Sequence, residues 1–597
     1  MTPERTSMGR RIEKAVVLGA GTMGSRIAAH FANAGLPCVL LDIVPPDLPA
    51  GAPASERNRI VRAGFEAAKK ARPAAFFHPS FADRVSLGNF DDDLQACADA
   101  DWIIEAVAEN LEIKRNLLSR VVPFRKPGAV VTTNTSGLPV HLIAEGLPEE
   151  FRQHWAGTHF FNPPRYMKLV EVIPGPSTLP EVVRTLADFC DRRLGKGVVI
   201  AKDVPNFIAN RIGTFSMLNV LRLMTKLNMT IEEVDACTGP AVGQPKSATF
   251  RTADVVGLDV LLHVVRNIYD TAPQDESREI YRVPPFIEEM AKRGMLGDKT
   301  GKGFYQRVKK SGGESEVLTL DTSTLEYRPR QKARFASLEV GKTIEDTRER
   351  LRTLLAPVFS GQPADKAQQF IWGAMSEMCL YAARRIPEIS DSLADVDKAL
   401  RWGFMWECGP FELMDILGVP VFAAQVEKEG RAVAPVIQKL LASGRTSFYD
   451  SAKGRTSCFD PASGAMKAAE EPQGVLILKS LKEAGREIER NAGAGLIDLG
   501  DGVVCCEFHA KMNAIGADLV SMLHKGLKRL ETGFDAMIIA NQAVNFSVGA
   551  NLMLLLVAAQ EQEWDDLHDA VRKFQNTTLA LKHAPRPVVV APQGMAL

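Results

Sequence analysis

The chain has 597 residues, too many for one hydrophobic core, and three or four domains are expected. Lys+Arg and Asp+Glu each number 72, so the formal net charge is zero and the basic excess of a nucleic-acid-binding protein is missing. Nine cysteines without a C-x-x-C pair, an N-terminus without an apolar signal core, and a longest apolar run (Leu552–Ala559) far short of the ~18 residues of a membrane span argue against secreted and membrane classes, and for a cytoplasmic protein that needs no metal.

In chain order, residues 14–19 read as a buried strand, 22–34 as a helix closed by Gly35, and 38–42 as a second strand ending on Asp42. Apolar strand candidates follow at 85–87, 102–107, 129–133 and 155–160, with helical segments between them. Strands alternating with helices predict a parallel, doubly wound α/β sheet over residues 12–204. From Asn206 the pattern turns long and helical, which marks a mainly α domain over 205–308. Val234-Asp235, with Asp254 and Gly257 beyond it, has an echo in Val396-Asp397, with Phe411, Asp415 and Gly418 beyond it. That echo predicts a second helical repeat at 356–440, set off by polar connectors at 309–355 and 441–495. A last αβ region is expected over 496–597, with strands at 502–508 and 536–540 around a helix near 517–530.

Gly19-Ala20-Gly21-Thr22-Met23-Gly24 follows the first strand and opens the first helix, the context a dinucleotide loop requires. Gly19 allows the tight turn, Gly21 lets the backbone approach a pyrophosphate, and Gly24 permits close helix–strand packing. The phosphates would meet the free N–H groups of the helix N-terminus, at Thr22 and Met23 among others. Asp42 can accept from both ribose hydroxyls and would repel a 2′-phosphate, which favours NAD over NADP.

His159-Phe160-Phe161-Asn162-Pro163-Pro164 is followed, twelve positions after the histidine, by Glu171. A histidine titrates near neutrality, and a carboxylate on the neighbouring strand can orient it and stabilise the imidazolium. The diproline turn would set the two strands antiparallel. Ser136 in Asn134-Thr135-Ser136 follows a strand at the ligand edge of such a sheet, and Asn210 stands near the start of the first long helix. Each has a plainer alternative: His159 as a packed side chain among aromatics, Asn134 and Ser136 as turn residues, Asn210 as a surface amide. As a set they suggest proton removal coupled to hydride transfer.

These motifs, with Glu105-Ala106-Val107-Ala108-Glu109-Asn110, Pro205-Asn206-Phe207-Ile208-Ala209-Asn210-Arg211 and Lys299-Thr300-Gly301-Lys302-Gly303-Phe304-Tyr305, resemble the L-3-hydroxyacyl-CoA dehydrogenase family over roughly residues 12–306. The resemblance implies NAD-dependent oxidation of (S)-3-hydroxyacyl-CoA in fatty-acid β-oxidation. It makes His159 the base and Glu171 its partner, with Ser136 and Asn210 binding substrate. Glu109, Lys114, Asn134, Asn162 and Lys299 would contact the cofactor, although Lys114 and Lys299 read equally as solvated charges. Lys69 and Lys70 could meet CoA phosphates. An acyl-CoA substrate, a thiolase partner and a homo-oligomer all fit this family. One departure is Pro245–Phe250, where the family often carries Gly-Pro-Phe.

Glu507–Ile515 and Asn545–Leu552 resemble the crotonase (enoyl-CoA hydratase) family, which implies a partial crotonase-like αβ domain with half an oxyanion hole at the Ala550 backbone. The other half and the catalytic glutamates are expected beyond Leu597. The whole resembles a dehydrogenase-first β-oxidation fusion. Its alternatives are a bifunctional hydratase–dehydrogenase, if the chain is a fragment of a longer protein, and a non-catalytic NAD- or acyl-CoA-binding protein. Without the later crotonase elements, the strand 536–540 should be an unpaired edge and the run 552–559 exposed.

Overall fold

A computed structural model describes residues 11–49, 51–309, 314–452, 455–468, 475–550 and 552–596. Residues 310–313 of the expected connector and Asn551 of the last motif lie outside the described residues. The chain divides into one unit over Met1–Phe448 and Phe459–Ala465 and another over Tyr449–Cys458 and Met466–Leu597.

The first unit begins with β1 (Ala15–Leu18), α1 (Thr22–Asn33), β2 (Cys38–Asp42), β3 (Val85–Asn89), β4 (Trp102–Glu105), α2 (Leu111–Val121) and β5 (Val130–Thr133). It continues with β6 (Trp155–Phe160), β7 (Leu169–Pro174) and β8 (Gly197–Ile200). The eight strands form one sheet in the order β3-β2-β1-β4-β5-β6-β7-β8. Every pair is parallel except β6–β7, which is antiparallel. The order reverses between β1 and β4, the switch point at which doubly wound sheets take their ligands. Strands such as Ala15–Leu18 and Trp102–Glu105 are buried throughout, which is why they read as unbroken apolar runs. Strand β8 escapes the sequence pattern because it is only four residues long and Ile200 is exposed.

The helical part starts with α3 (Ala209–Lys226), α4 (Ile231–Cys237), α5 (Ala248–Val256) and α6 (Leu258–Thr271). Four further helices, α7 (Lys366–Arg384), α8 (Leu393–Gly403), α9 (Pro410–Leu417) and α10 (Val419–Lys428), repeat the pattern at the level of single hydrogen bonds. Asp235 accepts from the Phe250 N–H at 2.8 Å, and Asp397 accepts from the Phe411 N–H at 2.9 Å. Gly257 (φ 96°, ψ 132°) joins α5 to α6, and Gly418 (φ 86°, ψ 112°) joins α9 to α10, both in left-handed backbone that glycine tolerates best. Asp254 accepts from the Phe304 N–H, and Asp415 from the Phe448 N–H. The Phe304 and Phe448 carbonyls in turn accept from Leu320 and Phe459.

The repeat therefore runs past the helices into a strand at each end. The stretch read as the connector 309–355 holds β10 (Ser315–Leu320), which pairs with β9 (Tyr305–Lys309) on one side and β11 (Tyr327–Pro329) on the other, followed by helices at Ala336–Gly341 and Thr347–Ser360.

In the second unit, β12 (Glu487–Arg490), β13 (Ala494–Gly500), β14 (Val503–Phe508), β15 (Ala536–Ala540) and β16 (Val588–Ala591) lie side by side in that order. The sheet thus starts inside the segment read as connector 441–495. Strand 536–540 is not the unpaired edge expected from sequence: β14 and β16 flank it on both sides, and Met537 and Ile539 are buried. Leu552 and Met553, in the run 552–559, are exposed as expected.

Asp397→Ala should remove the acceptor for the Phe411 and Glu412 N–H groups at the start of α9. The expected cost is ~1 kcal/mol, typical of a lost helix N-terminal acceptor. A denaturant titration against Asp395→Ala, on the same helix, measures it.

Candidate active site

The glycine loop leaves one side open and closes the other. A Cβ at Gly19 would stand 2.7 Å from the Ala106 carbonyl oxygen, and one at Gly24 would stand 1.8 Å from the Gly19 carbonyl oxygen. At Gly21 a Cβ would meet nothing within 4 Å. Gly21 and Thr22 are exposed, and Gly21 caps α1 with no side chain bonding its first N–H groups. A backbone cradle with free donors and no Cβ on its open side fits a pyrophosphate. Asp42 is tied to this loop: its two oxygens accept from the Ala20 N–H at 2.6 Å and the Ile43 N–H at 2.7 Å, leaving a lone pair on each.

At the other end of the sheet, His159 and Glu171 are directly opposed in the β6–β7 register, and His159 Nδ1 lies 2.6 Å from Glu171 Oε2. The carboxylate makes Nδ1 the donor and leaves Nε2 as the basic nitrogen. Glu171 is fully buried, and its other oxygen accepts from the Ile208 and Ala209 N–H groups at 3.1 and 2.9 Å, where α3 begins. A buried carboxylate thus has a donor on each oxygen and the positive end of a helix beside it. His159 also packs against the rings of Phe161 (4.6 Å) and Phe207 (5.5 Å). Asn206 and Phe207, at φ 60° and 52°, sit in left-handed backbone, strain of about 1 kcal/mol or more each. That turn is what aims Phe207 at the imidazole.

Ser136 lies on a loop gathered by one carboxylate. Glu109 Oε1 accepts from the Thr135 hydroxyl (2.5 Å) and the Ser136 and Gly137 N–H groups (3.0 Å each). Burial pushes the Glu109 pKa up, but Lys114 and those donors outweigh it and hold the pKa below the usual glutamate value. The Lys114 ammonium is itself buried, 2.8 and 3.0 Å from the two oxygens of Glu105 and 3.3 Å from Glu109. Lys114 is therefore neither a solvated charge nor free to reach out; it acts on the loop through Glu109. Asn134 accepts from the Phe160 N–H and Asn162 from Arg26. Asn210 is half-buried in the first turn of α3. Lys299 pairs with Asp259 at the surface of the helical part, and Lys69 with Glu66.

Two supports escaped the sequence reading. Lys196 is buried, and its ammonium donates to the carbonyls of Pro164 and Met167, closing the loop between β6 and β7. Burial lowers its pKa to about 8. Arg211, also buried, donates to Tyr381 and Asp275, both at 2.6 Å, and so bolts α3 to α7 of the second repeat. A basic residue inside an apolar stretch was the available signal, but sequence does not say which lysines or arginines are enclosed.

A glycine cradle with an acidic strand end, joined to an oriented histidine, defines an NAD-dependent dehydrogenase. Residues 14–204 match the family described as 3-hydroxyacyl-CoA dehydrogenase, NAD binding domain, and residues 207–307 match its C-terminal domain. The chain is 42% identical over 598 residues to a probable 3-hydroxyacyl-CoA dehydrogenase of Bacillus subtilis, covering 99% of this chain and 74% of that one. It is 27% identical to a putative fatty acid oxidation complex trifunctional enzyme of Rickettsia felis, covering 99% and 76%. The crystal structure of 3-hydroxybutyryl-CoA dehydrogenase from Escherichia coli shares the fold, with a TM-score of 0.54 and 23% identity over 73% of this chain and all of that one. The chain belongs to the 3-hydroxyacyl-CoA dehydrogenase family.

Lys196 provides a pH test. Its folded pKa (about 8) lies below the 10.5 of a free lysine, so the unfolded chain holds this proton where the folded chain has lost it. Stability from this group is present above pH 10.5 and lost as pH falls through 8. Unfolding midpoints of the wild type relative to Lys196→Met should therefore rise across that window; a flat difference would put the ammonium elsewhere.

Proposed function

We propose that this chain oxidises the hydroxyl of (S)-3-hydroxyacyl-CoA to the 3-oxo product, in fatty-acid β-oxidation. The observation that carries the reading is the buried His159–Glu171 pair, which leaves Nε2 as a base while Glu171 remains anchored to α3. Bound NAD supplies the hydride acceptor; Gly19, Gly21 and Gly24 would cradle it, and Asp42 would meet its ribose. His159 takes the hydroxyl proton as C3 loses hydride, and Glu171 stabilises the imidazolium that forms. Ser136 and Asn210 hold the substrate oxygens, and Asn134, Asn162, Glu109, Lys114 and Lys299 serve the cofactor side directly or through the loops they hold. A pure binding protein has little need of an oriented, desolvated base.

The proposal extends to a cytoplasmic location, to self-association, and to a thiolase as the partner class that consumes a 3-oxoacyl-CoA. Among the described residues no helix is long and apolar enough to cross a membrane. A second reading, that the smaller unit is the first part of a crotonase-type scaffold and the chain a fragment of a longer bifunctional hydratase–dehydrogenase whose catalytic glutamates follow Leu597, is favoured by its αβ sheet and by the alignment of 99% of this chain to 76% of the Rickettsia relative.

NADH formation from 3-hydroxybutyryl-CoA tests the leading reading. His159→Gln should lower kcat by ~10²–10⁴-fold and leave NAD affinity almost unchanged. Near-normal turnover would remove His159 from the mechanism.

Asp42→Ala should weaken NAD binding and narrow its preference over NADP, since the ribose acceptor and the repulsion of a 2′-phosphate go together. NADPH bound by the wild type as tightly as NADH would overturn this role.

A further inference from the structure

Helix α3 carries more than Asn210. Gly213, Met217 and Val220 follow at spacings of three and four, so they share one face of the helix, with Met217 almost beneath Asn210. That face lines a cavity of about 80 Å³ walled on the far side by Ile371, Met375 and Met378 of α7. At ~10–15 Å³ per water-sized site it has room for several such sites. No lysine, arginine, aspartate or glutamate lines it. The Thr249 hydroxyl on its wall donates to Thr238, whose own hydroxyl donates to the Val234 carbonyl, so these polar atoms are already satisfied. Three methionines give the wall a soft, adaptable surface.

The cavity is linked to the catalytic pair through a short chain of packed side chains. A Cβ at Gly213 would fall 2.1 Å from the Phe404 ring, so that ring rests on the helix at the cavity's Asn210 end. Gly403 next to it lies against Phe161, the ring that packs on His159. Only two residues of contact separate the imidazole from Phe404.

We propose that this chamber between the two helical repeats receives the distal end of the substrate's acyl chain, and that Met217, Met375 and Phe404 set the chain length accepted. The proposal rests on the dehydrogenase reading above. A substrate whose hydroxyl is at His159 and whose thioester side is near Asn210 has an uncharged, apolar remainder, and this uncharged chamber continues along the same helix face. A short chain would end before Phe404; a longer one would enter the chamber only as that ring turns away from Gly213.

The test compares kcat/KM for 3-hydroxybutyryl-CoA and 3-hydroxydecanoyl-CoA in the full chain. Met375→Trp, which fills the chamber, should lower kcat/KM for the ten-carbon substrate by about 10-fold or more while leaving the four-carbon substrate within about twofold. Met217→Ala, which enlarges it, should shift preference toward the longer chain, and decides the matter if the tryptophan variant does not fold. Equal changes on both substrates, or none, in a folded variant would overturn the chamber while leaving the dehydrogenase reading intact. A wild type that oxidises neither substrate would instead overturn that reading.

Discussion

The structure turns on the burial of one carboxylate. Glu171 has no access to water, and an ionised carboxylate in that position is tolerable only if both oxygens are bonded. One oxygen takes the His159 N–H, and the other takes two N–H groups at the start of α3. A single side chain therefore sets the tautomer of the histidine and pins the helical part to the edge of the sheet. The antiparallel β6–β7 pair, an exception in an otherwise parallel sheet, is what brings histidine and glutamate face to face.

A second buried charge organises the neighbouring edge. Glu105 holds Lys114, Lys114 balances Glu109, and Glu109 gathers the backbone around Ser136. Glu105 also accepts from the Thr133 hydroxyl, so strands β4 and β5 are joined beneath the loop they present. Both arrangements seat a buried carboxylate on a rigid strand (Glu171 on β7, Glu105 on β4) and tie it to a neighbouring helix, α3 in one case and α2 in the other. Such sites are preorganised by satisfied interior charge rather than by surface contacts.

The second helical repeat supports the first. Arg211 lies one residue beyond Asn210 and is enclosed by Tyr381, Asp275 and Tyr281; the ring of Phe215 stacks on Tyr381 at 3.8 Å. Trp402, Gly403 and Phe404 lie against Gly197, Leu169 and Gly213, positions where a side chain on the glycine would collide. Helix α3 is thereby held at its start by Glu171 and along its length by a domain of the same chain.

The sequence by itself determined the local elements. Apolar runs such as Cys38–Asp42 and Ala536–Ala540, and the glycine spacing at 19, 21 and 24, follow from burial and backbone sterics that act over a few residues. The repeat was legible because Asp235 and Asp397, and Gly257 and Gly418, each answer a local backbone demand. Tertiary structure alone decided which charges are enclosed: Lys114 and Lys299 look alike in sequence, yet one is buried between two glutamates and the other pairs at the surface. It also decided that strand 536–540 has neighbours on both sides, that the stretch read as a connector after Lys309 is a small sheet, and that Lys196 closes the loop beyond His159. These depend on partners tens or hundreds of residues away, and the desolvation that gives a charge its role exists only once the chain has closed around it.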